Sequence, residues 1–129
     1  MNVKRLSETE FEIDMTNVMT VTFKIPKPLE EEYERICRKE GYSKSELLRY
    51  WISSFLGLTK TEQDIIVQKY RINNQNEASW KVFGVRMVEE IVNEIDEIAR
   101  RNNLSRADVI RSVIMFKMDA YRRAENEAK

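Results

Sequence analysis

The chain has 129 residues, 22 basic and 22 acidic side chains, no histidine and one cysteine. That composition excludes an internal disulfide framework, Cys/His zinc clusters and catalysis built on histidine, so no catalytic residue, metal site or cofactor is expected. At 42% hydrophobic and 34% charged, the chain can bury a small core and remain well solvated.

Residues 1–18 read as an N-terminal arm. The opening MNVKRLSETE lacks the apolar centre of a signal peptide, and no apolar run nears the ~20 residues of a membrane span, so a cytoplasmic location is expected. Lys4 and Arg5 are read as solvated charge. Phe11, Ile13 and Met15 alternate with Glu12, Asp14 and Thr16, which suits either a short strand packed beside the next element or a frayed end. Residues 20–25, TVTFKI, are a clear strand pattern: Val21, Phe23 and Ile25 share one face, and Thr20, Thr22 and Lys24 the other. Pro28 suits the first turn of a helix running to about Glu40, with Leu29, Tyr33, Ile36 and Cys37 as its buried stripe and Gly41 as its stop. Ser43 and Glu46 form a capping box for a second helix. Leu47, Leu48, Trp51, Ile52, Phe55 and Leu56 give that helix a wide apolar face before Gly57.

Residues 58–78 read as a partly helical linker. Residues 61–71 carry a helical pattern with Thr59 or Thr61 as cap, and residues 73–76, NNQN, are loop-like. A shift of 62 positions then returns the whole pattern. Phe83, Val85 and Met87 match Val21, Phe23 and Ile25, and Ile91, Ile95, Ile98 and Ala99 match the first stripe. Asn103 replaces the stop glycine, and Ser105 with Asp108 repeats the cap. Val109, Ile110, Val113, Ile114 and Met118 repeat most of the second helix's face. Trp51 and its counterpart Val113 are expected where the two second helices cross. The units are therefore residues 19–57 and 79–123; from Asp119 onward, with Tyr121, Arg122 and Arg123, the chain is expected to extend the last helix before fraying, leaving 124–129 as a C-terminal tail. A lone strand with two helices is too small to fold by itself, so each strand is expected to be half of a two-stranded ribbon.

The run from Ile25-Pro26 through Gly41-Tyr42-Ser43-Lys44-Ser45-Glu46-Leu47-Leu48-Arg49 resembles the ribbon–helix–helix family of DNA-binding proteins, the Arc, MetJ and CopG type. The second copy resembles it as Asn103-Leu104-Ser105-Arg106-Ala107-Asp108-Val109-Ile110-Arg111, without the glycine or the strand-end proline. Two motifs in one chain resemble regulators of archaeal filamentous viruses, which would place the protein in a host cytoplasm. The resemblance implies a mainly α fold with a two-stranded antiparallel β-ribbon, as a tandem ribbon–helix–helix. It implies that the ribbon's polar face enters the major groove of double-stranded DNA. The base readers would be Thr20, Thr22 and Lys24 from one strand and Val82, Gly84 and Arg86 from the other. The phosphate anchors would be Ser43, Lys44 and Ser45, and Ser105, Arg106 and Ala107, at the N-termini of the second helices.

The function expected on this basis is a sequence-specific transcription regulator, a repressor or autoregulator, acting as an intramolecular pseudo-dimer or a homodimer and able to assemble further on DNA. Zero net charge means that any DNA surface must be local. The competing reading is a helical protein-interaction module, or an antitoxin-like partner protein, whose ribbon only joins the halves. Glu30, Glu31, Glu32 and Glu34 on the first helix would suit that reading. No small-molecule effector site is evident.

Overall fold

Alternation over nine residues makes each strand a two-faced element. β1 (Val18–Pro26) turns Val21, Phe23 and Ile25 into the core, and β2 (Trp80–Val88) does the same with Phe83, Val85 and Met87. In this computed structural model, which describes residues 17–72 and 79–128, the strands pair antiparallel within the one chain. Thr20 lies opposite Arg86, Thr22 opposite Gly84 and Lys24 opposite Val82. The ring of Phe23 stacks on that of Phe83 across the ribbon, with centroids 5.2 Å apart. Among the described residues this ribbon is the only sheet, and five helices complete a mainly helical fold. No helix of the described residues is long and apolar enough to cross a membrane. The N-terminal arm to residue 16 and the loop expected at 73–76 lie outside the described residues.

Local sequence sets the helix ends. α1 (Lys27–Glu40) starts with Pro28 in its first turn and stops at Gly41, whose φ of 80° any Cβ would strain. α2 (Lys44–Leu56) opens on the Ser43–Glu46 capping box. α3 (Lys60–Lys69) opens on a second box made by Thr59 and Glu62, which settles the cap in favour of Thr59. α4 (Glu89–Arg101) is followed by Asn103 at φ 57°, and α5 (Arg106–Glu127) opens on the Ser105–Asp108 box. Strand, helix, helix thus occurs twice in chain order, with α3 between the two runs.

The core lies under the ribbon's apolar face and between the helices. Leu29, Tyr33, Ile36 and Cys37 are buried on α1. On α4 the buried stripe is Val92, Ile95, Ile98 and Ala99, while Ile91, expected in that stripe, is only partly buried. The Trp51 ring is buried and meets Tyr33 edge-on at 5.4 Å, and Val113 is fully buried on α5, which packs against α2. α3 is more than a tether. It packs against α5 through buried Ile66 and Val67, and the Gln63 side-chain amide donates to the Leu56 and Leu58 carbonyls at 3.2 Å, closing the end of α2. The last turns of α5 return to α1, where Arg122 grips Glu32 through two hydrogen bonds of 2.6 and 2.7 Å.

The register makes a cross-link test available. A Cβ built on Gly84 lies 3.6 Å from Thr22 Cγ2, an ordinary contact, and directly opposed strand residues have the spacing a disulfide needs. Thr22→Cys with Gly84→Cys, in a Cys37→Ala background, is expected to oxidise within the chain. Non-reducing electrophoresis should then show only monomer-mass species. Cross-linked dimers would mean that the ribbon pairs between chains.

Candidate nucleic-acid interface

The ribbon's second face looks outward. Thr20, Thr22, Lys24, Val82, Gly84 and Arg86 are all exposed on it, Val82 to 70%. Among the described residues neither Lys24 nor Arg86 makes an ion pair, whereas Lys44, Arg101, Arg106, Arg111 and Arg122 are all matched with carboxylates. The face therefore offers two hydroxyls, two cations without an ion pair among the described residues and one apolar side chain. Among the described residues nothing requires glycine at 84: its φ is not positive and an added Cβ would fit.

Each second helix reaches across to the other unit's strand. Arg49 of α2 donates from an Nη to the Arg86 carbonyl at 3.1 Å, and Arg111 of α5 donates to the Lys24 carbonyl at 2.9 Å. Both pairs of positions, 49/111 and 24/86, are related by the 62-residue offset, so the two clamps are equivalents. They fix the backbone of the two strand residues that carry the outward cations. The clamps differ in their surroundings. Arg49 is exposed, while Arg111 is buried, paired with Asp108 at 2.8 Å and set against the Trp80 ring at 5.2 Å. Its Nε has no partner among the described residues.

The expected phosphate anchors sit at two capped helix starts. Ser43 and Ser105 accept the N–H groups of Glu46 and Asp108 through their hydroxyls. Helix geometry leaves the N–H groups of Lys44 and Ser45, and of Arg106 and Ala107, without intrahelical acceptors, so they are free to bind an anion. The two long side chains are differently placed. Lys44 Nζ lies 2.7 Å from Glu30 and 5.1 Å from the Phe83 ring centroid, and Arg106 grips Asp96 through two bonds of 2.8 Å. A phosphate contact from either side chain requires that internal pair to open. Tyr33 fixes the start of α2 by donating its hydroxyl to the Lys44 carbonyl at 2.6 Å.

These pairs set the local titration. The hydrogen bond from Lys44 holds the Glu30 carboxyl below its ordinary value against the opposing effect of burial. Burial pulls the Lys44 ammonium down, but Glu30 and Glu34 outweigh it and hold it above its usual range. Arg106 likewise holds Asp96 low. A carboxyl lowered in the folded state contributes stability that is present above its unfolded pKa and lost as pH falls through the folded one. The Glu30 side chain is 5% exposed but Lys44 is 40% exposed, so solvent weakens the pair. Glu30→Gln is expected to cost about 1–2 kcal/mol at neutral pH by leaving Lys44 undercompensated. It should also flatten the acid arm of a melting-temperature profile recorded below about pH 5, where the native carboxyl would otherwise lose its contribution.

Sequence reasoning placed the outward strand residues and both caps. It grouped Glu30 with Glu31, Glu32 and Glu34 as suiting a protein-interaction surface, whereas Glu30 is buried, and it gave no role to Arg49, Arg111 or Trp80. The signal for the arginines was present as an identical pair at the 62-residue offset, six positions after each capping serine.

No protein-family model matches this chain, and neither a curated protein nor a solved structure matches it.

Proposed function

We propose that the protein is a sequence-specific double-stranded DNA-binding transcription regulator, a repressor or autoregulator, built as a tandem ribbon–helix–helix whose single chain acts as a pseudo-dimer. The observation that carries this reading is the ribbon's outer face, where exposed Thr20, Thr22, Lys24, Val82 and Arg86 are presented on a backbone clamped by Arg49 and Arg111. A major groove about 12 Å wide admits a two-stranded ribbon. Lysine and arginine reach guanine O6 and N7, threonine hydroxyls donate or accept, and the Val82 methyls suit a thymine methyl. Gly84 lets a base edge approach the strand. The backbone N–H groups of Lys44, Ser45, Arg106 and Ala107 supply sequence-independent phosphate contacts.

The acidic residues that suited the protein-interaction reading are largely engaged within the chain. Of the four acidic residues that suited it, Glu30 and Glu34 engage Lys44, and Glu32 engages Arg122. The deciding experiment is binding of the full chain to DNA selected from a random pool, against random duplex, over a salt series. A sequence-selective complex that weakens with salt is expected. Absence of any complex at low salt would favour the interaction module instead.

A further inference from the structure

The two arginine clamps are equivalent in the chain but not in what else their guanidiniums do. Arg111 spends its fork inside the protein. One Nη donates to the Lys24 carbonyl, the other donates to Asp108, and the Trp80 ring lies 5.2 Å away. At the 62-residue offset Trp80 becomes Val18, which has no ring to set against a guanidinium. Asp108 becomes Glu46, which takes the Ser43 N–H at 2.9 Å but no bond from Arg49. Arg49 is exposed, and among the described residues its bond to the Arg86 carbonyl is the only one it makes. An arginine carries several N–H donors in a planar fork, so most of this fork is uncommitted among the described residues.

The place of that fork gives it a use. The bond reaches β2 from α2, outside the two-strand ladder, so the guanidinium lies at the ribbon's edge and not over its outward face. Paired strands stand about 4.8 Å apart and the major groove is about 12 Å wide, so a seated ribbon leaves a few ångströms between each edge and a phosphate-lined wall. Arg49 also follows Ser45 by one helical turn on the same face, so its fork and the free N–H groups at the start of α2 serve one wall. The surface beside it is Ser53, Met87, Val88 and Ile91, with no carboxylate among them to draw the guanidinium inward.

We infer that Arg49 has two tasks: one Nη holds the Arg86 carbonyl, and the rest of the fork binds a backbone phosphate on the groove wall facing β2. Buried Arg111 has no free fork to do the same on the wall facing β1. The inference rests on the DNA-binding reading above and adds an asymmetry in phosphate contacts to the asymmetry in base readers. Its test is binding of the full chain to random duplex over a salt series, with each variant's melting temperature recorded. Arg49→Ala is expected to lower the slope of log affinity against log salt by about 0.9, the loss of one neutralised phosphate. Arg49→Lys, which keeps a charge able to meet phosphate, is expected to restore the slope. Arg111→Ala removes the equivalent clamp and is expected to lose base discrimination on a selected site while keeping the parent's slope. Should Arg111→Ala fail to fold, selected duplexes each carrying one methylphosphonate take its place: one neutral position should weaken the parent and leave Arg49→Ala indifferent. A slope that Arg49→Ala does not move or that Arg49→Lys does not restore, an equal fall in Arg111→Ala, or a methylphosphonate scan in which parent and Arg49→Ala respond alike reduces Arg49 to a clamp. Each of these overturns the inference and leaves the DNA-binding reading standing. A parent chain that binds no duplex at low salt overturns both.

Discussion

Phe83→Ala is expected to cost about 3–5 kcal/mol, enough to leave so small a fold largely unfolded at physiological temperature. The ring is 3% exposed and lies where three elements meet. It stacks on Phe23, takes Tyr33 edge-on at 5.7 Å and carries the Lys44 ammonium 5.1 Å from its centroid. Removing it leaves a cavity under the ribbon and withdraws a partner from each neighbour. The adjacent Val82 is the internal control. At 70% exposure on the other face, Val82→Ala should stay within about 0.5 kcal/mol of the parent. Urea unfolding followed by tryptophan fluorescence measures both. A stable Phe83→Ala variant would mean that the ribbon's faces are assigned the wrong way round.

Lys24→Ala and Arg86→Ala are each expected to lose ~1–3 kcal/mol of base discrimination, at different base pairs, with little change in melting temperature. The outward face is lopsided, with Thr-Thr-Lys beside Val-Gly-Arg, so the elementary site should be asymmetric rather than palindromic. Lys44→Ala and Arg106→Ala should act differently. Both side chains are tied to carboxylates in the free protein; where they leave those pairs for phosphate, a contact that carries no sequence information, their loss should fall about equally on specific and random DNA and reduce the salt slope by about 1. Binding of the four variants to a panel of single-base operator changes separates the two patterns. Equal weakening by Lys24→Ala and Arg86→Ala on every sequence would remove the base-reading role.

The sequence alone determined the parts whose causes are local. Alternation over a few residues decided which strand side chains face inward. Two serine capping boxes and two left-handed stops at Gly41 and Asn103 set helix boundaries, because each depends on groups within about four residues. The 62-residue offset linked the two units by pattern, and the outward positions of the candidate interface followed from it. Tertiary structure decided what depends on residues far apart in the chain. Arg49 and Arg111 bond to carbonyls 37 and 87 positions away, a relation that exists only once each second helix lies along the other unit's strand. Glu30 is buried although it sits in an acidic run, because Lys44, 14 residues on, is brought against it and offsets the cost of desolvating its charge. Val92, not Ile91, joins the α4 stripe, and Ile91 is left beside a groove at the ribbon's end. Periodicity fixes a face only to within about one residue; packing against the neighbouring element chooses between the two, since a shift of one position turns a helical side chain by about 100°.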